Sequence, residues 1–303
     1  MKPSLIILAA GMGSRYGGLK QLDRFGPNGE AIIDYSLYDA LKAGFGKIIF
    51  IIRDSFKADM INAFAHKLDG KAEYHFVNQD ISLVPNGIPI SPERTKPWGT
   101  AHAVWVARDH IREPFGVINA DDFYGTESYK TLADFLTGLS DQDTSSYCTV
   151  GYYLRNTLSD HGSVNRGICK VDEQNMLIAV NERTKIKRFP DGIIRYDSES
   201  NNPQPLNEND FASMNMWGCV PYYFNVMDQH FKSFLEEYGM DPKSEYYIPT
   251  LIDYMIEQKL ATVKVLPSES TWFGVTYPED KPAVMAALQK LLAEGKYPTN
   301  LWS

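Results

Sequence analysis

Short apolar runs of strand length alternate with helical patterns over the first 140 residues of this 303-residue chain. Three such runs, LIILA (5–9), KIIFII (47–52) and AEYHFV (72–77), are separated by segments with helical spacing of apolar residues at 31–43 and 55–69. Continuous apolar strands are typical of parallel sheets buried on both faces, and the helices between them provide right-handed crossovers. The pattern predicts an α/β fold with a mostly parallel, Rossmann-like doubly wound sheet, in which ligands bind at the carboxyl ends of the strands.

The alternation continues after a proline-rich loop that we expect over 78–98. A helix is predicted over 99–111, a strand over 115–122 and another helix over 126–139. These elements complete a doubly wound first half.

The second half of the chain has a different pattern, which predicts an antiparallel extension of the sheet. The polar segment 184–210 is expected to be an insertion loop, because Asn202-Pro203 and Pro205 interrupt any helix. The strands expected here cover 148–154, 167–172, 176–181, 213–224 and 262–267, and the helices about 227–237, 245–257 and 279–293.

Composition and charge exclude several classes of function. A net charge of −8 argues against nucleic acid or an anionic membrane as a partner, because both require a basic face. Cys148, Cys169 and Cys219 lack disulfide or metal-site spacing and fit reduced thiols near the core. The apolar run 5–10 is too short for a signal peptide, and no run approaches the roughly 20 residues of a membrane helix, so we expect a cytoplasmic protein.

The first strand leads into a glycine-rich loop, GMGSRYGGLK. The dinucleotide-binding pattern requires glycine where Tyr16 stands, and the P-loop pattern is interrupted by Leu19 and has Gln21 in place of its hydroxyl residue. Glycines nevertheless let backbone N–H groups approach phosphates, and Arg15 and Lys20 can neutralise phosphate charge. The loop therefore predicts a site for a triphosphate.

The segment LAAGMGSRYGGLKQ resembles the signature L-A-A-G-x-G-x-R with a closing lysine, found in nucleotidyltransferases that couple an NTP to a sugar phosphate or a related phosphate. The resemblance implies a nucleotide-diphospho-sugar transferase type of fold in one domain, with an NTP-binding half at 1–140 and a sugar-phosphate-binding half at 141–303. It implies that Arg15 and Lys20 stabilise the transition state. The other residues implied to bind the nucleotide in this loop are Leu8, Ala9, Ala10, Gly11, Gly13 and Ser14.

A predicted strand ends in adjacent carboxylates in the segment INADDFYG. Carboxylate oxygens are the ligands that hard cations such as Mg²⁺ prefer. The resemblance implies that Asp121 holds the metal, and Asp122 is its neighbour in this role.

The segment PWGTAHAV places Gly99 and Thr100 at a predicted helix start, where free N–H groups and the threonine hydroxyl can bind a nucleotide. Similar segments contact the nucleobase in the family that the loop resembles. The glutamine that usually reads the base, some five positions upstream, is Arg94 here, so the nucleobase stays open. His102 is interpreted as a structural histidine.

The acceptor side is suggested by RGICKVDEQNMLIAVNERTK, which resembles the family's pattern of a glycine, a hairpin, and a glutamate followed by a base. Gly167 and Glu182 match this pattern. Arg183 stands where the family usually has lysine, with Lys185 as the alternative, and an arginine can bind phosphate bidentately. Asn215 and also Gly218, both in MNMWG, are expected to line the same pocket.

Near the C-terminus, STWFGVTYPED resembles the family segment W-x-D-x-G-T, whose acid is a second metal ligand. In this chain that position is Gly274. The second carboxylate comes from elsewhere, or one metal ligand suffices, or the activity is altered; Asp280 is nearby in sequence.

The leading hypothesis is a Mg²⁺-dependent enzyme that transfers NMP from an NTP to a sugar 1-phosphate and releases pyrophosphate. Open alternatives within the enzyme class act on choline phosphate, methylerythritol phosphate or the molybdenum cofactor, or consume a nucleotide sugar. The alternative from another class is a regulatory relative that senses a nucleotide or nucleotide sugar without turnover, as Gly274 and Arg94 suggest. The sugar, the base and the oligomeric state, including a homo-oligomer, stay open.

Overall fold

A sheet of eleven strands runs through the computed structural model, which describes residues 1–11, 20–159, 162–197, 202–274 and 280–302. The strands, including the pair β5 and β13 that forms a second small sheet, are β1 Ser4–Leu8, β2 Lys47–Ile52, β3 Glu73–Asn78, β4 Phe115–Asn119, β5 Asp122–Phe123, β6 Ser146–Tyr153, β7 Val164–Val171, β8 Leu177–Arg188, β9 Ile194–Tyr196, β10 Gln204–Leu206, β11 Phe211–Cys219, β12 Thr262–Ser268 and β13 Phe273–Gly274. The helices are α1 Ile32–Ala43, α2 Lys57–Leu68, α3 Thr100–Trp105, α4 Thr126–Thr137, α5 Tyr222–Tyr238, α6 Ile248–Glu257 and α7 Lys281–Ala293.

The core of the sheet is parallel, in the order β4-β1-β2-β3. Its central strands are fully buried because helices cover both faces: α1, α2 and α4 pack on one face, and α3, α5 and α6 on the other. This arrangement confirms the predicted doubly wound α/β fold.

Strand β11 joins the parallel core to the antiparallel extension. Its residues 217–219 pair with β4, and its residues 211–213 pair with β7, both antiparallel. Since β6 occupies the other edge of β11 at both ends, β4 and β7 lie end to end along one edge. The register shifts between Ser213 and Trp217, and Asn215 there adopts a φ of 60°, so the strand bends where β4 stops and β7 starts.

The expectation of an insertion loop over 184–210 was wrong in part. Strand β8 extends to Arg188, and β9 and β10 follow as antiparallel neighbours. Ile186 and Ile194 are buried against the main core, and this tertiary burial stabilises strands that the polar local composition does not predict.

Two other predicted elements are shorter than expected. The helix over 99–111 is only α3, followed by a 3₁₀ turn at Arg108–His110. The strand over 213–224 ends at Cys219, because α5 starts at Tyr222 with Pro221 as the residue that precedes it. The loop after β3 has no helix or strand up to Gly99, as predicted, and the remaining elements agree to within a few residues.

The C-terminal segment packs against α1. The Tyr297 hydroxyl donates to Asp39 Oδ2 at 2.6 Å, and Trp302 Nε1 donates to Asp34 Oδ1 at 3.0 Å. These bonds fix the end of the described chain to the first crossover helix. No helix in the described ranges has the length and apolar character needed to cross a membrane.

Candidate active site

The carboxyl ends of β1 and β4 are adjacent. Leu8 lies opposite Asn119 in the parallel register, and the backbone N–H of Ala120 donates to Leu8 O at 3.1 Å. The start of the glycine-rich loop therefore lies beside the strand that ends in Asp121 and Asp122. The loop residues Gly13, Ser14 and Arg15 and the side chain of Lys20 lie outside the described part of the chain.

Two side chains hold the described start of the loop. Arg53 Nε donates to Ala10 O at 3.0 Å, and Gln21 Nε2 donates to Gly11 O at 3.0 Å. Arg53 follows β2 directly, so it brings a guanidinium to the same edge of the sheet. No motif in the sequence singles out this residue, although its position just after a predicted strand was a usable signal.

A chain of hydrogen bonds orients the carboxylate of Asp122. Its Oδ2 accepts from Asn119 Nδ2 at 2.8 Å, Asn119 Oδ1 accepts from Asn215 Nδ2 at 2.7 Å, and Asn215 Oδ1 accepts from Trp217 Nε1 at 3.0 Å. Asn215 reaches Asn119 because β11 bends at this point. The predicted acceptor-side residue Asn215 therefore lies in the same network as the predicted metal ligand Asp122.

Gly274 lies directly opposite Asp122 in the β5–β13 pair. A Cβ atom at position 274 would lie 2.7 Å from Asp122 Oδ1 and 2.9 Å from the ring of Trp272. The carboxylate of Asp122 thus occupies the space next to the position where the resemblance calls for an acid. Asp122 is therefore a candidate for the second carboxylate.

Asp121 and Asp122 provide oxygen donors of the kind that Mg²⁺ binds. Asp121 is half-buried in the turn after β4, and Asp122 is buried. In the described ranges no group of three or more His, Cys, Asp or Glu residues could hold a metal ion. Mg²⁺ typically uses one or two carboxylates together with substrate phosphates and water, so the two residues fit this ion.

Gly99 precedes α3 with a φ of 98°, a conformation that favours glycine. A Cβ here would also lie 2.5 Å from Tyr246 O. Next to it, Thr100 Oγ1 accepts from the backbone N–H of Ile248 at 3.1 Å, which joins α3 to the start of α6. The presence of Gly99 and Thr100 at these positions is therefore explained by the packing of α3 against α6, independently of any nucleotide.

Gln79, at the end of β3, is a second residue that the sequence analysis missed. Its Nε2 donates to Gly99 O at 3.0 Å and lies 3.2 Å from His102 Nδ1. His102 Nε2 donates to Leu83 O, and burial lowers the pKa of His102 to about 4, so this histidine is neutral and structural as expected. Gln79 and Arg53 line a cavity of about 200 Å³ at the carboxyl ends of β2 and β3.

Arg94 has a structural role. Its guanidinium carbon lies 3.4 Å from the ring centroid of Trp98, and Nη2 donates to Asp241 O at 2.7 Å and to Ser244 O at 2.9 Å. These bonds tie the long loop to the segment after α5. The side chain that presents an amide near Gly99 is Gln79 instead.

The acceptor-side residues are divided between two faces of the β7–β8 hairpin. Gly167 pairs with Glu182, and a Cβ on Gly167 would lie 3.6 Å from Glu182 Oε2, so these two share a face. Arg183 leaves β8 on the opposite face, where its guanidinium carbon lies 4.7 Å from the ring centroid of Tyr196. Partial burial raises the pKa of Glu182, and nearby Arg166 opposes this shift.

Two further predicted residues lie away from these groups. Lys185 is exposed, and its Nζ forms an ion pair of 2.8 Å with Asp197. A Cβ on Gly218 would lie 2.5 Å from Cys148 Sγ and 2.9 Å from Leu132, so Gly218 allows α4 to pack on the sheet and does not line a pocket. Cys148, Cys169 and Cys219 are free, buried thiols, as predicted.

A family model described as Nucleotidyl transferase matches residues 4–280. The chain belongs to this family. A search of curated proteins finds no significant match.

Solved structures share the fold of this nucleotidyl transferase family member. An inositol-1-phosphate CTP transferase from T. maritima has a TM-score of 0.60 at 14% identity, covering 95% of this chain and 97% of that one. A structure described as a putative glucose-1-phosphate thymidylyltransferase from Bacillus anthracis, in complex with sucrose, has a TM-score of 0.60 at 14% identity and 94% coverage of both chains. A UDP-glucose pyrophosphorylase complexed with UDP-glucose has a TM-score of 0.57 at 15% identity, covering 96% of this chain and 99% of that one.

Proposed function

We propose that this family member transfers NMP from an NTP to a sugar 1-phosphate and releases pyrophosphate. The observation that carries the proposal is the register of β1 and β4, which brings the start of the glycine-rich loop next to Asp121 and Asp122. A polyphosphate bound by that loop would lie beside the two carboxylates. The names of the three similar structures, all transferases or pyrophosphorylases of phosphorylated polyols or sugars, support the same reaction class.

The reaction requires no covalent nucleophile from the protein, so catalysis consists of positioning and charge neutralisation. An oxygen of the acceptor phosphate attacks the α-phosphorus of the NTP, and pyrophosphate leaves. In this proposal Arg15 and Lys20 stabilise the charge that develops on the triphosphate, and backbone N–H groups between Gly11 and Ser14 bind its oxygens. The N–H of Ala9 is not available for this, because it donates to Ile51 O at 2.8 Å.

Asp121 and Asp122 are the residues that would hold Mg²⁺. When bound, the ion would neutralise charge on the phosphate oxygens. Asn119 fixes one oxygen of Asp122, and Gly274 leaves room for the other, so the chain presents this carboxylate in one defined orientation.

The cavity near Gly99 is the site we propose for the nucleobase. Gln79 offers an amide, which can both donate and accept hydrogen bonds, and Arg53 adds a cation between this cavity and the loop. On the acceptor side, Gly167, Glu182 and Asn215 are the residues proposed to contact the sugar. The assay described next identifies which nucleoside and which sugar the protein uses.

A pyrophosphate-release assay tests the proposal. ATP, CTP, GTP, UTP and dTTP are each combined with a panel of sugar 1-phosphates, with choline phosphate as a further acceptor, and with Mg²⁺ either added or chelated. We expect release with at least one pair, only with Mg²⁺, and a strong loss in Lys20→Ala and Asp121→Ala at unchanged melting temperature. No release from any pair, combined with tight NTP binding, would instead favour the nucleotide-sensing alternative.

A further inference from the structure

A cavity of about 830 Å³ lies between the beginning of β7, strand β13 and the first turns of α7. One of its walls includes Gly274, whose partner across the β5–β13 pair is Asp122. In a chain of net charge −8, a polar cavity with several arginines indicates an anionic ligand. Three arginines and one acid line it, together with neutral polar side chains; these residues are Arg155, Arg166, Arg188, Asp280, Asn156, Ser159, Ser163, Asn165 and Thr271.

This cavity lies on the face of the β7–β8 hairpin opposite Glu182. Gly167 and Glu182 share one face, and Arg166, the residue before Gly167, points to the other. Neither Gly167 nor Glu182 is among the described residues that line the cavity. The described lining of the cavity therefore does not include these two proposed sugar contacts.

Arg166 is nevertheless close to the reaction centre. Because β4 and β7 lie end to end along β11, Arg166, the third residue of β7, lies close to the carboxyl end of β4. The carboxylate of Asp122 acts electrostatically on its guanidinium. A ligand bound by Arg166 would thus lie near the proposed metal ligands.

The guanidinium of Arg166 is held in place but keeps unused donors. Nη1 donates to Asn165 O at 2.8 Å, Nη2 donates to Thr157 O at 2.6 Å, and the guanidinium carbon lies 4.7 Å from the ring centroid of Trp272. Its Nε is buried and has no hydrogen-bond partner in the described part of the chain. Since Nη1 and Nη2 each carry two N–H groups and use one, each keeps one N–H group for a ligand.

The charge of Arg166 is also not neutralised by an ion pair with any described residue. Directly across the strand pair stands Arg183, a second cation, and like charges in this position are destabilising. The other two arginines of the cavity have partners: Arg155 pairs with Glu269 at 3.1 Å and Arg188 with Glu208 at 3.5 Å. Among the described arginines of this cavity, Arg166 is therefore the one without an ion pair, and the carboxylates of Asp122 and Glu182 act on it only at longer range.

We propose that Arg166 binds the phosphate group of a polar, phosphate-bearing small molecule in this cavity. A guanidinium matches two phosphate oxygens at once, and the asparagine and serine side chains suit hydroxyl groups. The phosphate belongs either to the acceptor or to a separate effector, and the two arms of the experiment distinguish these sources. The binding site itself does not depend on the proposed transferase activity.

Isothermal titration with inorganic phosphate is the first arm. We expect Arg166→Gln to weaken binding by about 10- to 100-fold, and Arg166→Lys, which keeps the charge, to weaken it less. Arg188→Gln is the matched control, since it lines the same cavity but is paired with Glu208, and it should bind as the wild type does. Wild-type protein that does not bind phosphate, or Arg166→Gln and Arg166→Lys variants that both bind it normally, would overturn the proposal.

The second arm uses whichever substrate pair releases pyrophosphate. If the phosphate is that of the acceptor, Arg166→Gln raises the acceptor KM and leaves the NTP KM unchanged. If it belongs to an effector, inorganic phosphate changes the wild-type rate, and Arg166→Gln abolishes that response. A transferase in which Arg166→Gln changes neither quantity would contradict the assignment, whereas phosphate binding through Arg166 without any turnover would retain the site and reject the transferase.

Discussion

At the scale of single residues, the contact between Asp122 and Gly274 is the most informative feature of the site. The family pattern predicts one acid on each of two strands. Here β5 provides Asp122, whereas β13 has Gly274 opposite it, a residue without a side chain. The missing Cβ at 274 would lie within 2.7 Å of Asp122 Oδ1. Gly274 is therefore better understood as the residue that accommodates Asp122 than as a lost metal ligand.

This interpretation predicts the effect of Gly274→Ala. The added methyl group should displace the Asp122 carboxylate and lower kcat by about 10- to 100-fold, because small misplacements of a reacting group are costly. Weaker Mn²⁺ binding, measured by electron paramagnetic resonance, should accompany the loss. Gly138→Ala, at the end of α4, is the control, since the atom nearest to its new methyl group would lie 3.4 Å away, an ordinary contact; equal behaviour of the two variants would refute the interpretation.

Gln79 and Arg94 provide a second comparison of single residues. Gln79→Ala removes the amide beside Gly99, and we expect it to raise the NTP KM about tenfold and to reduce discrimination between bases. Steady-state kinetics with each NTP measures both effects.

Arg94→Gln should behave in the opposite way. It removes stacking on Trp98 and charge-assisted bonds to Asp241 and Ser244, so we expect a loss of roughly 2–4 kcal/mol in the free energy of unfolding, with base preference unchanged. Urea denaturation measures the stability. A change of base preference in Arg94→Gln, with none in Gln79→Ala, would restore the interpretation that the sequence suggested.

At the scale of elements, Asp39 links α1, α4 and the C-terminal segment. Its carboxylate accepts hydrogen bonds from Thr126 Oγ1 at 2.8 Å and from the Tyr297 hydroxyl at 2.6 Å. Burial raises its pKa to about 7, and the charges of Lys42 and Glu127 act in opposite directions on it. The folded state therefore binds a proton here that the unfolded chain has lost above about pH 4.

The raised pKa of Asp39 sets the sign of a pH dependence of stability. Because the folded pKa is raised, the contribution of Asp39 to stability is complete below about pH 4 and is lost as the pH rises through 7, by up to about 4 kcal/mol. Asp39→Asn resembles the protonated acid, so its urea-unfolding free energy should fall less than that of the wild type between pH 5 and 8. Asp134→Asn is an exposed control on α4; parallel pH curves for wild type and Asp39→Asn would contradict this account.

The sequence pattern predicted strands best where consecutive residues of a strand are all buried. Strands β1, β2 and β4 are apolar apart from one terminal polar residue each, so their type and direction could be inferred. Strands β9 and β10 could not, because they are short and their stability comes from pairing and from burial of Ile194 against distant residues. The helix predicted over 99–111 was too long for a similar reason, since its apolar residues are buried in non-helical turns as well.

At the scale of the whole molecule, the topology of the sheet explains which candidate site residues could be predicted from the sequence and which could not. The described start of the loop after β1 lies beside the acids after β4 because parallel strands end at one edge, and this could be inferred from the alternation alone. The position of Arg166 could not, because it depends on β11 bending at Asn215 to place β7 behind β4. The position of Gln79 could not be inferred either, because the spacing of the family motif pointed to Arg94 instead.

The central claim, transfer of a nucleotide to a phosphate acceptor, is tested most directly by following the α-phosphate. The NTP that supports pyrophosphate release is labelled with heavy oxygen at the non-bridging positions of its α-phosphate and incubated with Mg²⁺ and the matching sugar 1-phosphate, and the products are separated and identified by mass spectrometry. We predict that the label appears in a nucleoside diphosphate sugar, in amounts equal to the pyrophosphate released. Asp121→Ala should form neither the labelled sugar nucleotide nor pyrophosphate. Label that appears only as free NMP, or that stays in the NTP with every acceptor, would contradict the claim.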